Sequence, residues 1–199
     1  MNRNDWLNFI NDFLPKNPIG AEIGVYQGYF SKEILERTDM TLYMVDLWRG
    51  VDENYEDTTN NKDYINILEK ATENIKGYED KGIMIRASSQ VASNMFLDES
   101  LDFIYIDANH AYEFIKQDIE LWYPKLRRGG IFSGHDYLNL DWYNDPHFAP
   151  NKKDKYIYQV NGFYSGVFGV NPAVDEFCNK HSYKLNKTDE FFGTWWLIK

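Results

Sequence analysis

Between Ile19 and Asp46 the chain alternates in a way that few folds accommodate. An apolar run, Ile19-Gly-Ala-Glu-Ile23, leads into glycines at 24 and 28, and Phe30, Ile34 and Leu35 then follow at helical spacing. A second apolar run, Thr41-Leu-Tyr-Met-Val45, is closed by Asp46. Short apolar runs bounded by glycine predict buried strands, and the 3–4 residue spacing between them predicts a helix. Gly24 and Gly28 would let the backbone turn sharply and approach a ligand, and the amides at the helix start favour an electron-rich or anionic group. An acid ending the second strand suits the paired hydroxyls of a ribose. The alternative is that the glycines only close a turn and Asp46 only caps the next segment; the downstream acid weighs against it.

The same rhythm continues along the chain. A helix is expected over 63–75, a third strand over Gly82-Ile-Met-Ile-Arg86 with Ala87-Ser88-Ser89 at its end, and a helix carrying Val91 and Met95. Leu101-Asp-Phe-Ile-Tyr-Ile106 reads as a buried strand, and 112–126 as a helix with Phe114, Ile115, Ile119, Trp122 and Leu126 along one side. Gly129 and Gly130 would end that helix and open a fifth strand over 131–133. A helix over 172–180 and an antiparallel closing pair, 183–185 with 191–198, complete the chain. Strands alternating with helices in this way predict an α/β, Rossmann-like, doubly wound and mostly parallel sheet with a C-terminal antiparallel strand pair. Ligands should then sit beyond the carboxyl ends of the parallel strands.

Residues 1–199 are expected to form a single domain. Residues 4–14, within an N-terminal segment 1–18, pattern as an amphipathic helix with Trp6, Ile10, Phe13 and Leu14 on one face, ended by Pro15 and Pro18. That helix is expected to pack on the sheet's edge or cover the ligand mouth. Residues 51–62 are rich in Asp, Glu, Asn and Thr and read as a loop with a solvated face.

A formal net charge of -10 opposes broad affinity for nucleic acid or an anionic membrane surface, since either needs a basic face. Small neutral or cationic partners stay open, as does a homo-oligomer. Cys178 is the single cysteine, which rules out an intramolecular disulfide and suits a reducing compartment. The N-terminal residues lack a basic region followed by an apolar stretch, and no apolar run approaches membrane-spanning length. A cytoplasmic location is expected.

Two further loops fall on the predicted ligand edge: Ile106-Asp-Ala-Asn-His110 after the fourth strand and Ser133-Gly-His-Asp-Tyr137 after the fifth. Asp107 and Asp136 would converge there with His110 and His135 beside them. This oxygen-rich set with imidazole is one that magnesium or manganese accepts. Such a cation could hold a substrate hydroxyl and favour its alkoxide, and a nearby histidine could take the proton. His110 is the better base, while His135 adjoins Asp136 as ligand or support. Strand-end capping is the alternative role for both aspartates.

The glycine spacing separates two cofactors. A dinucleotide fingerprint wants G-x-G-x-x-G, whereas here Tyr26 occupies the place of the middle glycine. Instead E-x-G-x-x-x-G followed by an acid resembles the class I S-adenosylmethionine-dependent methyltransferases. The runs D-F-I-Y-I-D-A-N-H-A-Y-E, W-Y-P-K-L-R-R-G-G-I-F-S-G-H-D-Y and A-V-D-E-F extend that resemblance to the group of macrocin-type sugar O-methyltransferases, over about residues 19–177.

The resemblance implies a class I methyltransferase fold and S-adenosylmethionine bound by Glu22, Gly24, Gly28 and Asp46, with Ser88 near the adenine. Tyr26 and Trp48 are expected to line the same pocket, and Asp107 to reach its reactive end. It also implies a divalent metal on Asp107 and Asp136, with His135 added, and His110 as base partnered by Asp107. Where macrocin-type enzymes have two adjacent acids, this chain has His135-Asp136, so one carboxylate is missing from the implied metal shell.

The segment 138–166 is aromatic-rich, with Trp142, Tyr143, His147, Phe148, Tyr156, Tyr158, Phe163 and Tyr164 among amides and charges. It is expected to cover the acceptor, and such residues suit stacking on a sugar ring. The expected activity is methyl transfer to a hydroxyl of a sugar or glycan. The rivals are a catechol-like acceptor, a nicotinamide-dependent sugar oxidoreductase and a non-catalytic cofactor-binding protein. The acceptor's identity, the methylated position and the oligomeric state are not written in the sequence.

Overall fold

Each short apolar run pairs with another as the βαβ rhythm requires. The computed structural model describes residues 1–49, 64–138, 148–150, 156–160 and 163–199. Its elements are α1 (Arg3–Phe13), β1 (Ile19–Ile23), α2 (Tyr29–Arg37), β2 (Thr41–Asp46), α3 (Tyr64–Asn74), β3 (Gly82–Arg86), α4 (Ser89–Ser93), β4 (Leu101–Ile106), α5 (Tyr112–Trp122), β5 (Leu126–Leu138), β6 (Phe148–Pro150), β7 (Tyr156–Val160), β8 (Phe163–Phe168), α6 (Val170–His181), β9 (Asn186–Lys187) and β10 (Phe192–Ile198). The main sheet runs in the order β3-β2-β1-β4-β5-β10-β9. Its first five strands are parallel, and β10 and β9 close it antiparallel. This is the α/β, doubly wound architecture that the sequence predicts.

The order reverses at β1, which lies between β2 and β4, so the loops leaving β1 and β4 diverge above adjacent strand ends. Such a switch point opens a crevice. Both faces of the sheet are covered. Ile23, Ile104, Ile106 and Phe132 pack with Ile115, Ile119 and Trp122 of α5 and Val174 of α6. Leu42, Met44, Phe103 and Tyr105 pack on the other side with Trp6, Ile34, Leu35 and Ile67. Each such buried side chain contributes roughly 1.5–3 kcal/mol relative to exposure.

The boundaries depart from expectation where tertiary contacts intervene. Helix α5 stops at Trp122, and a 3₁₀ turn, Tyr123–Lys125, takes the place of its expected last turn. Pro124 lies in that turn and has no amide for the α-helical ladder. Leu126 therefore opens β5 instead of ending α5, and β5 runs on to Leu138 because β10 pairs with it from Ile131 to Leu138. Phe114 is 48% exposed, off the buried stripe. That stripe is Ile115, Asp118, Ile119 and Trp122, at i, i+3, i+4 and i+7. Helix α4 is a single short turn, and Met95 falls outside it, exposed. The short partner of β10 is β9, Asn186–Lys187, slightly beyond the expected 183–185.

Helix α1 lies on the sheet's face and not on its edge. Trp6 meets the rings of Phe103, Tyr105 and Trp196 at centroid distances of 6.1, 5.7 and 6.1 Å. Phe13, expected on the same stripe, is 41% exposed; Leu7 takes its place in the core. The helix begins with a capping box at Asn2, whose side chain accepts from the Asp5 amide while Asp5 returns the contact. Most of 138–166 lies outside the described residues. What is described there is a separate antiparallel sheet, β6-β7-β8. Residues 51–62 also lie outside the described residues. Among the described residues no helix is long and apolar enough to cross a membrane.

Candidate active site

The two loops at the switch point are fastened to each other through backbone. The Gly24 amide donates to Val45 at 2.9 Å, and the Asp107 amide donates to the Ile23 carbonyl at 2.7 Å. Gly24 has φ +88°, and a Cβ built there would stand 2.1 Å from the carbonyl oxygen of Asp107. Glycine at 24 is thus demanded by the neighbouring loop itself, independently of any ligand. Gly28, with φ +74°, precedes the first turn of α2, where a Cβ would come 3.3 Å from the Cα of Ala71.

Asp46 organises the same region. One carboxylate oxygen accepts from the amides of Val25 and Tyr26, each at 2.9 Å, and the other from the amide of Trp48 at 2.8 Å. The indole of Trp48 donates to the Tyr26 carbonyl at 2.9 Å. Tyr26 and Trp48 both hold positive φ, +52° and +40°, and Asp136 does so at +57°. That backbone state is uncommon for residues with a side chain, and it tends to cluster at functional sites. Tyr26 is exposed at the loop, whereas Trp48 is 2% exposed and belongs to the core beneath it.

Glu22 is buried under the loop, where it accepts from the Ser31 hydroxyl. Burial pushes its carboxyl up to about 8, against the lowering effect of the Ser31 hydrogen bond. Folding therefore takes up a proton between the ordinary carboxyl value of 4.5 and about 8, and stability falls as pH climbs through that window. The slope is up to about 1.4 kcal/mol per pH unit. Glu22→Gln keeps an acceptor for Ser31 and should flatten the pH dependence, making the variant the more stable protein at pH 8. Urea unfolding of both proteins at pH 5, 6.5 and 8 measures this; parallel curves would show that Glu22 carries its charge at no cost.

Ser88 caps α4, its hydroxyl accepting from the Val91 amide at 3.3 Å. It stands after β3 as the sequence predicts.

The second constellation does converge. Donor atoms of Asp107, His110 and Asp136 all lie within 4.8 Å of one another. His110 Nε2 is 2.8 Å from Asp136 and 3.5 Å from Asp107. His135 Nδ1 is 3.4 Å from Asp136 and 3.9 Å from Asp107, so it sits at the rim of the cluster. A bulge creates this arrangement. Between the pairs Gly193↔Tyr137 and Trp195↔Gly134 the register shifts, leaving His135 and Asp136 opposite Thr194 alone. Bulges re-aim side chains beside sites without ending the strand.

Burial works against a charge on His110, but the Asp136 carboxylate and the hydrogen bonds to Asp107 and Asp136 outweigh it, lifting its affinity for a proton well above the ordinary imidazole value. His135 is raised more modestly, again against burial, through Asp136 and Asp107. Burial would raise Asp136, yet both imidazoles hold it far below the usual carboxylate range. The neutral His110 that a base requires is therefore the less favoured form beside the two carboxylates.

One residue of the region lies outside the sequence motifs. Arg3, at the start of α1, donates from Nη2 to the Tyr105 hydroxyl at 3.1 Å and lies 4.0 Å over the ring of Phe30. Its spacing to Trp6 and Ile10, i, i+3 and i+7, could have placed it on the buried face.

A protein-family model described as a methyltransferase domain matches residues 21–137. No curated protein sequence matches the chain. Among solved structures, one from Staphylococcus aureus, provisionally assigned as a caffeoyl-CoA O-methyltransferase, superposes with a TM-score of 0.66 at 18% identity, covering 98% of this chain and 81% of its own. An O-methyltransferase from Bacillus cereus, solved with SAH, gives 0.61 at 13% identity over 97% and 78%. A Clostridium thermocellum protein provisionally assigned as an rRNA methylase gives 0.61 at 12% over 100% and 98%. At these identities the superpositions establish a shared fold and leave the acceptor open. The match spans the glycine loop, Asp46, Asp107, His110 and Asp136, and with it this chain belongs to the methyltransferase-domain family.

Proposed function

We propose that this protein transfers the methyl group of S-adenosylmethionine to a hydroxyl, most specifically of a sugar or glycan, with His110 as the base. The observation that carries this reading is the cluster of Asp107, His110 and Asp136 at the carboxyl end of the sheet, beside the Gly24–Gly28 loop. The cofactor's ribose would meet the Asp46 end of the crevice and its methyl-bearing sulfur the Asp107 end. Solved relatives of the fold include methyltransferases with SAH bound, which supports the cofactor. The aromatic-rich segment 138–166 supports a sugar over a flat apolar acceptor, since rings with interspersed amides suit stacking and hydrogen bonding together.

Two carboxylates and an imidazole also fit a divalent cation such as magnesium or manganese. Asp107, Asp136 and His110 or the adjacent His135 would hold it. Bound, it would supply Lewis-acid polarisation of the acceptor oxygen. The charge state favours this fit, because the carboxylate pair already draws one positive charge, the His110 proton, into the same space. A base must be neutral before it can accept a proton, so His110 acts as one when another cation offsets Asp107 and Asp136. Without a cation the two carboxylates favour protonated His110, which disfavours the metal-free alternative of His110 as base with Asp107 orienting it. The single cysteine, Cys178, is buried and its thiol is pushed up by burial to about 11, which leaves it unreactive and suits a cytoplasmic protein.

Titration calorimetry with S-adenosylmethionine, SAH and NAD, with and without magnesium or manganese, tests the reading. Binding of the first two and not NAD supports it and leads to a screen of sugar and catechol acceptors; NAD binding alone overturns it. Asp46 offers a finer check. Asp46→Ala removes the expected ribose partner and three amide contacts of the loop, and should weaken S-adenosylmethionine by about 10- to 100-fold. Asp46→Asn, which keeps one acceptor, should fall between. Unchanged affinity in both would remove Asp46 from the cofactor site.

A further inference from the structure

Helix α6 begins where three parts of the chain meet. The small sheet returns to the main body through β8, and Gly169 and Asn171 follow at once. The Gly169 amide donates to the His110 carbonyl at 2.6 Å. A Cβ built at Gly169 would stand 2.2 Å from the Tyr112 nitrogen, so the chain passes directly against the loop that carries His110. Two residues on, Asn171 reaches the other end of the same excursion. Its Oδ1 accepts from the Leu138 amide at 2.8 Å, and its Nδ2 donates to the Leu138 carbonyl at 2.9 Å. The side chain is buried, with Asn171 only 4% exposed.

Strand β4 pairs with β5 as far as Gly134, and β5 then runs on through His135 and Asp136 to Leu138. At that end Asn171 supplies what a neighbouring strand would supply, because a carboxamide carries a donor and an acceptor in one plane. Tyr137 adds a second tie, its hydroxyl donating to Asp175 Oδ1 at 2.7 Å, one turn further along α6. The start of α6 therefore grips both the strand end that follows Asp136 and the loop that carries His110. A neck that only closed the excursion would need the Leu138 contacts alone; this one also fixes the His110 backbone. A base works only within hydrogen-bond reach of the proton it takes, and small misplacements of a bound group are costly. We infer that Asn171 is a positioning residue, holding the acceptor-covering segment in register with His110 so that a hydroxyl bound there is presented to the imidazole. This rests on the proposed function, in which that segment covers the acceptor.

Amide hydrogen exchange, read residue by residue by NMR on the full chain, tests the link without any acceptor. In wild type the Leu138 and Gly169 amides should open as one unit, their protection agreeing within about 3-fold at low urea. A difference above about 10-fold overturns the inference, whether or not a variant folds. Asn171→Ala leaves both Leu138 backbone groups unpaired. It should speed exchange by about 10- to 100-fold at Gly169 and at Ala111, whose amide donates to Asn109 Oδ1 at 2.8 Å within the His110 loop. Faster exchange at Leu138 alone also overturns it, by showing a simple closure of the neck. On an acceptor from the screen, the variant should raise the acceptor KM about 10-fold and lower kcat, while SAH affinity stays within about 3-fold. Unchanged KM and kcat beside faster exchange overturns the role in acceptor placement. A wild-type protein that binds no S-adenosylmethionine and methylates nothing brings down the proposed function and the acceptor role of Asn171 with it, while the exchange data still report the link between the two segments.

Discussion

Gly24→Ala should destabilise the protein by on the order of 3–5 kcal/mol, the sum of a strained backbone and a forced displacement of packed structure. The φ of +88° disfavours any side chain, and the new Cβ would stand 2.1 Å from the Asp107 carbonyl, 2.5 Å from its carbon and 2.6 Å from the Ala108 Cα. Those are backbone atoms of the β4 loop, so no side chain can swing away. Gly77 provides the control. It holds a similar φ of +93° with nothing within 4 Å of a built Cβ, so Gly77→Ala isolates the backbone term. The contact at Gly24 should make its variant at least about 2 kcal/mol worse than Gly77→Ala. Chemical denaturation of the two variants measures the difference; equal losses would show that the close approach between the loops is not what requires glycine.

His110→Ala should lower turnover by about 10²- to 10⁴-fold, the contribution typical of a positioned general base, while S-adenosylmethionine affinity changes by less than about 3-fold. The imidazole stands between Asp136 at 2.8 Å and Asp107 at 3.5 Å, at the Asp107 end of the crevice and away from the Asp46 end proposed for the ribose. A split between kcat and binding is therefore the expected signature. His135→Ala, removing the imidazole at the cluster's rim, should have the smaller effect. The comparison uses an acceptor identified by the screen and single-turnover rates. Full activity in His110→Ala would remove it as base, and a larger loss in His135→Ala would exchange their roles.

Much of this site was legible from residue types in order. The apolar runs at 19–23 and 41–45, the glycines between them and Asp46 after them specify a βαβ unit and its ligand edge, because strand pairing and helix crossover leave a chain of that pattern few arrangements. Asp107 and His110, three residues apart after a buried strand, are found where that logic places them. Less legible was the partition of roles. Trp48, expected to line the cofactor pocket, is buried with its indole donating to the Tyr26 carbonyl, a tertiary contact that no local pattern encodes. Helix α5 ends a turn early at Pro124, which was readable, while β5 extends past 133 only because β10 arrives to pair with it.

Alone, the order of apolar runs, glycines and acids determined the doubly wound sheet and the edge at which chemistry is expected, since hydrophobic periodicity and backbone freedom act locally. The tertiary structure decided what those residues meet. It set Gly24 against the backbone of Asp107, turned His135 and Asp136 through a bulge opposite Thr194, and carried Arg3 on α1 to Tyr105 and Phe30. Each of these is a contact between segments far apart in the chain, fixed by how the layers pack and therefore invisible to any pattern read along it.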